Sequence, residues 1–332
     1  MHVWPDVDPE LPMAQSNLMI NVKAADPRDW RKWLVYQRER FPLLAHGPLV
    51  AAFSFSAVTL SSVLRGAESL PSIGQYIGAF IGSLGFFMLL RLADEFKDNA
   101  EDTKYRPYRA VPRGLVTLAE LRTIAFVIMG IQLLVSLILE PRLLGPLLLT
   151  WAYLWLMYRE FFVPAWLKSH PFTYMWTHML IMPLIDIYTS ACDWMVVGTT
   201  VPPGLKWFLL ASFFNGMVIE IGRKIRAPEQ EEAGVDSYTH LWGIPLAMGA
   251  WLLAQLLTLL TALPAAHAVS SLTPFAVGMG FMLFISAQQS YYFFKTPTPK
   301  LAKFFEVQSG AWTLGLYLGL GLLSLTMREY VT

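Results

Sequence analysis

A single cysteine, Cys192, among 332 residues excludes an internal disulfide and any metal centre built from several thiolates. Charge is scarce too: Asp, Glu, Lys and Arg supply only 15% of the chain. No low-complexity tract and no short-period repeat interrupts the sequence. Residues 1–40 are polar and lack a basic start followed by a short apolar core, so no cleavable signal peptide is expected. No Asp-Gly-x2-Ala-Arg run is present either, which sets aside a CDP-alcohol phosphotransferase. What is abundant is apolar surface: 55% of residues are hydrophobic and the mean hydropathy is +0.45. A soluble domain of this length is neither so apolar nor so evenly apolar. The chain therefore reads as an all-α integral membrane protein.

Apolar runs long enough to span a bilayer lie near 43–64, 72–92, 116–139, 143–163, 172–194, 205–221, 241–262, 270–292 and 309–327, which makes nine spans. Lys and Arg concentrate on the cytoplasmic side of membrane proteins. Alternate loops separated by these runs leave only Arg65, Arg142, Lys206 and Arg328 of the 25 basic residues on one side. The N-terminus is thus expected in the cytoplasm and the C-terminus on the opposite side. Residues 1–41 form a cytoplasmic lead, and within it Pro27–Arg40 mixes Trp30, Trp33, Leu34 and Tyr36 with basic residues, the pattern of an interfacial amphipathic helix. Residues 42–332 form the membrane domain. Its two most charged loops, 91–114 and 220–240, follow spans two and six, as two related halves facing one cavity would place them.

In the first of these loops Asp94, Asp98 and Asp102 recur every four residues. On a continuing helix they share one face, drifting about 40° per step. Like charges so placed repel one another, and a bound cation relieves the repulsion. Magnesium suits them, because it takes one or two carboxylates and completes its octahedron with water and substrate phosphates. The plainer alternative is a solvated helix end with Lys97 paired to Glu101. Against it stand Lys104, Arg106, Arg109 and Arg113, since guanidinium forks grip phosphate oxygens. Pro107, Pro112 and Gly114 hold this return segment in a non-helical path.

The order Asp94-x3-Asp98-x3-Asp102, then Arg106-Pro107-x-Arg109-x2-Pro112-x-Gly114, resembles the first aspartate-rich motif of the UbiA superfamily of intramembrane prenyltransferases. The resemblance implies nine transmembrane helices around a central cavity that opens to the cytoplasm, with a second aspartate-rich motif after helix six. Asp94 stands where the family usually has Asn, and Ala110 where Pro is common. At the second motif the family carries two aspartates four apart, whereas this chain offers Glu220 and Lys224. Glu220 can ligate a cation, but Lys224 can only replace part of its charge. The pair also has the favoured orientation of a plain helical ion pair. Glu229, Glu231 and Glu232 read as a solvated loop, and Asp236, just before Tyr238, is a candidate replacement ligand.

Ionisable residues at membrane depth are functional candidates by default. Span five holds His178, Asp186 and Asp193. Asp186 follows a proline-disturbed turn that could aim it into the cavity to take a hydrogen bond or proton, or else it bonds across helices. His178 reads as an interhelical hydrogen bonder. Aromatic residues, 14% of the chain, are lipid-facing or core, with a few free to line an isoprenoid channel and to stabilise a carbocation.

Together with the resemblance, these features imply a magnesium-dependent prenyltransferase. Asp94, Asp98 and Asp102 would hold the metal with Glu220 and Asp236, while Arg40, Lys97, Arg106, Arg109, Arg223, Lys224 and Tyr238 would contact the isoprenyl diphosphate. Asp186 would serve the lipid-soluble, aromatic acceptor. Membrane lipid is the surrounding partner, no nucleic acid is expected, and no feature fixes an oligomeric state. A terpene cyclase of the same superfamily fits the same residues. A divalent-cation transporter fits less well, because the carboxylates lie at one membrane face and arginines accompany them.

Overall fold

A computed structural model describes residues 30–232 and 234–331. The described residues are helical, with short turns and no strand. Six helices are long and apolar enough to cross a membrane: α2 (Leu43–Leu64), α3 (Ile73–Lys97), α5 (Leu118–Leu139), α10 (Leu205–Gly222), α12 (Ile244–Ala268) and α14, over Pro299–Thr326 of its length. The other three expected spans are also helical, but each departs from a simple crossing. The run at 143–163 gives α6 (Leu144–Tyr158), only 15 residues long. The run at 172–194 is divided into α8 (Pro171–Met179) and α9 (Ile181–Trp194). Pro183 explains the break, because its ring clashes with the carbonyl four residues back, at Met179. The run at 270–292 gives α13 (Leu272–Lys295), long enough but made less apolar by Gln288 and Gln289. Shorter helices α1 (Arg31–Arg40), α4 (Asn99–Tyr105), α7 (Pro164–Lys168) and α11 (Tyr238–Trp242) complete the chain.

Side chains are distributed inside out relative to a soluble protein. Phe126, Ile138, Leu148, Val277, Phe281 and Phe284 are exposed, whereas Ser56, Thr59, Gln132, Asn215 and Gln255 are buried. Apolar surface outside and hydrogen-bonding residues between helices is the arrangement that a bilayer solvent favours. The chain is an integral, multi-pass membrane protein. α10 packs along α12, α14 along α2, and α3 along α5, with α9 wedged against α2, α3 and α10. Capping boxes start two of these helices: Ser72 with Gln75 opens α3, and Thr117 with Glu120 opens α5.

At the α3–α9 crossing a Cβ on Gly82 would lie 2.3 Å from a ring carbon of buried Tyr188, whose hydroxyl is 2.9 Å from Ser136 Oγ on α5. Gly82→Ala is therefore expected to cost about 1–3 kcal/mol through overpacking, read as a lower melting temperature in detergent.

The lead is described only from residue 30 onward, so most of it lies outside the described residues. Its helix α1 is attached by charge. Lys32 pairs with Glu120, Arg40 with Glu95, and Glu39 with Arg113. Lys32 and Tyr36 face inward and are buried, while Trp30 and Leu34 face out. The face on the protein combines these charges with Tyr36, which joins an apolar cluster that Trp33 and Val35 also pack against.

Candidate functional site

The C-terminal ends of α3, α6 and α10, the start of α8, and α11 meet at one end of the bundle. Both charged loops lie there and touch each other. Tyr108 donates from its hydroxyl to Glu232 at 3.2 Å, Arg226 reaches the same carboxylate at 3.3 Å, and the Tyr105 ring lies against Gly234. Gly234 has φ +73°, and a Cβ there would strike that ring at 2.6 Å, so the loop takes its path only with glycine. Glu231 is not a solvated side chain, since it accepts from the hydroxyls of Ser237 and Thr239 and staples the loop into α11.

The three aspartates differ in their surroundings. α3 ends at Lys97 and α4 begins at Asn99, with Asp98 as the junction, and backbone bonds from Asp98 N to Asp94 O and from Asp102 N to Asp98 O carry the helical path across it. Asp102 is buried, 2% exposed. Arg106 Nη2 lies 2.8 Å from one of its oxygens, Arg109 Nη1 donates to the other at 2.7 Å, and Arg40 Nη2 approaches to 4.0 Å. Asp102 thus neutralises a buried arginine cluster that folds the return segment back onto α4. Arg40, Arg106 and Arg109 are spent on carboxylates rather than presented to solvent.

Asp94 is different. Its carboxylate is 39% exposed and has only long contacts, 3.6 Å to Arg91 and 3.9 Å to Lys97. Asp98, partly buried, is held above its ordinary value of 3.8 by burial, with Asp94 and Asp102 adding to the effect and Lys97 and Arg106 opposing it. A carboxyl raised in the folded state binds its proton more tightly there than in the unfolded chain. Its stability cost is absent below the unfolded value and grows as pH rises through the folded one. Asp98→Asn is therefore expected to raise the melting temperature at about pH 7 in the absence of divalent cation, with no gain below about pH 3.8, while activity falls. A melt series in pH checks the sign.

Glu220, 8% exposed, has both oxygens engaged: Arg223 Nε donates to one at 2.7 Å and Lys224 Nζ lies 2.8 Å from the other. The i, i+4 ion pair is thus what the second cluster forms. Glu220 in turn holds the Arg223 guanidinium well above its usual range. Lys224 sits 5.5 Å over the ring of Tyr238, which is buried and has its phenol pushed up by burial, then by Glu220. Asp236 lies exposed on the loop before α11, where its charge is felt by Lys168. Asp186 is remote from this end. It is fully buried on α9, in the surroundings of Ser212 and Tyr317, and neither oxygen has a hydrogen-bond partner.

Three residues belong to the site that sequence reasoning did not assign to it. Arg91, one turn before Asp94, faces Asp94, Glu95 and Arg223. Tyr174 accepts a 2.5 Å hydrogen bond from Lys97 Nζ. His178 lines a narrow crevice of about 20 Å³ with Asp94, Lys97, Leu154 and Tyr158. Arg91 had a sequence signal in its i, i+3 spacing to Asp94, and His178 in being ionisable at membrane depth, although it read as an interhelical hydrogen bonder. On the outer side of Lys97 and Tyr158 lies an open groove of about 460 Å³, edged by Phe96, Arg159, Glu160 and Phe162. Glu160, Phe161 and Phe162 all have positive φ, 47°, 52° and 62°, a left-handed turn that costs about 1–2 kcal/mol per residue.

Among the described residues no three His, Cys, Asp or Glu side chains gather as a metal cluster. Asp102 and Glu220 are neutralised by basic side chains, which leaves Asp94 and Asp98, one helical turn apart. Two carboxylates suffice for an ion that takes its other ligands from water and phosphate, so the donor set fits magnesium. Around them Arg91, Lys97, Arg223 and Lys224 supply the positive charge for a polyanion.

No protein-family model and no curated protein matches the chain. Its fold, however, is shared by solved structures. One is the apo structure of a UbiA homolog from Aeropyrum pernix K1, with 12% identity and a TM-score of 0.62 over 85% of this chain and 98% of that one. Another is a digeranylgeranylglyceryl phosphate synthase, with 14% identity and a TM-score of 0.55 over 88% and 99%. At such identities the likeness is one of fold: the chain has a UbiA-like helical architecture.

Proposed function

We propose that the chain is an intramembrane prenyltransferase that ionises an isoprenyl diphosphate and passes the prenyl group to a lipid-soluble acceptor. The observation that carries this reading is the meeting of Asp94 and Asp98 with Arg91, Lys97, Arg223 and Lys224 at one end of an apolar bundle. A diphosphate needs cations and a metal, and its hydrocarbon tail needs an apolar interior. The UbiA-like fold and the first motif agree with it. In this reading all nine apolar runs traverse the bilayer, and the bias of Lys and Arg puts this end in the cytoplasm.

Arg223 and Lys224, held in place by Glu220, and Lys97, held by Tyr174, would bind the diphosphate oxygens. Magnesium bound at Asp94 and Asp98 would add Lewis-acid charge to the same oxygens. The C1–O bond then breaks with its electron pair leaving on diphosphate, and the acceptor supplies the pair for the new bond to C1. Exclusion of water by the apolar walls protects the allylic cation until the acceptor attacks.

The test is to incubate purified protein and magnesium with isoprenyl diphosphates of several lengths, with and without quinol-type acceptors, and to identify the products. A prenylated acceptor is expected. Diphosphate release with a cyclic hydrocarbon or alcohol and no acceptor would establish a cyclase instead. No release from any donor, with divalent-cation uptake into liposomes, would establish a transporter.

A further inference from the structure

His178 stands at the inner wall of the crevice that also holds Asp94 and Lys97. It is 7% exposed, and its Nε2 has no hydrogen-bond partner. Its Nδ1 lies 2.8 Å from the backbone carbonyl of Tyr174. A carbonyl only accepts, so the proton sits on Nδ1 and the neutral ring leaves Nε2 as a bare lone pair. The ring cannot easily turn to exchange these roles. It is stacked on Tyr174 at 4.0 Å and 14°, and Phe161 presses edge-on at 5.9 Å. A buried acceptor atom with a fixed tautomer and no partner, facing a crevice, is built to receive a hydrogen.

We propose that His178 is the proton acceptor of the transfer step. The proposal rests on the prenyltransfer reading and adds to it the residue that removes the acceptor's proton. As C1 loses diphosphate with the electron pair of the C1–O bond, the acceptor atom gives its own pair to C1. The proton on that atom passes to Nε2, and the resulting imidazolium later releases it to diphosphate or water. The acceptor is therefore one whose attacking atom bears a proton, an alcohol or an electron-rich aromatic ring.

The surroundings suit this role. Lys97 and Asp94, both on α3, line the same crevice. Tyr158 on α6 lines the same crevice, and Tyr174 on α8 is engaged by Lys97. Tyr153 on α6 spends its hydroxyl on the Thr177 carbonyl at 2.7 Å. Asp186, on α9 beyond the break, is not among the residues that line this crevice.

The experiment uses purified full-length protein in detergent with magnesium, the donor that releases diphosphate fastest, and a quinol-type acceptor. Release by the unmodified protein is measured first, and its absence overturns the prenyltransfer reading itself, and the proposal with it. His178→Ala and His178→Phe, the latter keeping the stacking on Tyr174, are then compared. Loss of a positioned general base is expected to lower prenylated product by about 10²–10⁴-fold in both. Binding of a non-ionisable thiolodiphosphate analogue of the donor is expected to stay unchanged. Added imidazole is expected to restore part of the activity of His178→Ala, where space is open, and none in His178→Phe. Undiminished product formation in the variants, or a loss in His178→Ala that imidazole does not relieve, overturns the proposal.

Discussion

Asp94→Ala is expected to lower diphosphate release by about 10²–10³-fold, the loss seen when one group that stabilises developing charge is removed. The substitution removes the ligating oxygens altogether, which Asn, with its amide oxygen, would not. Asp94 has no close cationic neighbour, its contacts to Arg91 and Lys97 being 3.6 and 3.9 Å. Asp102→Asn separates catalysis from structure, because Asp102 is enclosed by Arg106 and Arg109 at 2.8 and 2.7 Å. Its loss should lower the melting temperature and leave residual activity dependent on temperature. Asp94→Ala should lower activity while the melt stays in place. Initial rates and thermal melts on the same preparations check both halves.

The other large effect is expected at the far end of the bundle. Asp193 is fully buried on α9, and Arg65, which follows α2, grips it with Nε at 3.0 Å and Nη2 at 2.9 Å. Ser61 Oγ adds a third donor at 2.7 Å. Asp193→Ala strands a guanidinium that has little access to water, and breaking one side of such a pair costs about 3–5 kcal/mol. Arg65→Leu combined with Asp193→Leu should cost much less, since no charge is left behind. Unfolding of the three proteins in mixed detergent micelles checks the order. Among the ionisable residues of span five, Asp193 is therefore the one that holds helices together.

The apolar runs made the helices legible, because hydrocarbon length and the scarcity of charge constrain them strongly. Their interruptions were less so. Pro183 announced a disturbance, but only the structure shows that α8 and α9 part at Leu180 and that this places His178 and Asp186 in different surroundings. Spacing alone made Asp94, Asp98 and Asp102 look alike. Arg106 and Arg109 of the return segment enclose Asp102 and set it apart from Asp94, a tertiary contact that no local pattern records. Arg40 read as a phosphate ligand, yet it pairs with Glu95, 55 residues away in sequence. At Glu220 and Lys224 the sequence offered both a metal ligand and an ion pair, and the structure pairs Glu220 with Arg223 and Lys224. His178 went unassigned because its value lies in a hydrogen bond to its own backbone and in what surrounds the other nitrogen, neither of which a residue type reveals.

The central claim is that the end of the bundle carrying Asp94, Lys97 and Arg223 binds an isoprenyl diphosphate with magnesium. Equilibrium binding of a prenyl thiolodiphosphate, which keeps the charge and tail but resists ionisation, tests it without requiring turnover. The account predicts saturable binding that needs magnesium, weakens in Asp94→Ala and Arg223→Ala, and persists in Asp186→Asn. Binding that is indifferent to magnesium and to both substitutions, or no binding at all, would contradict it.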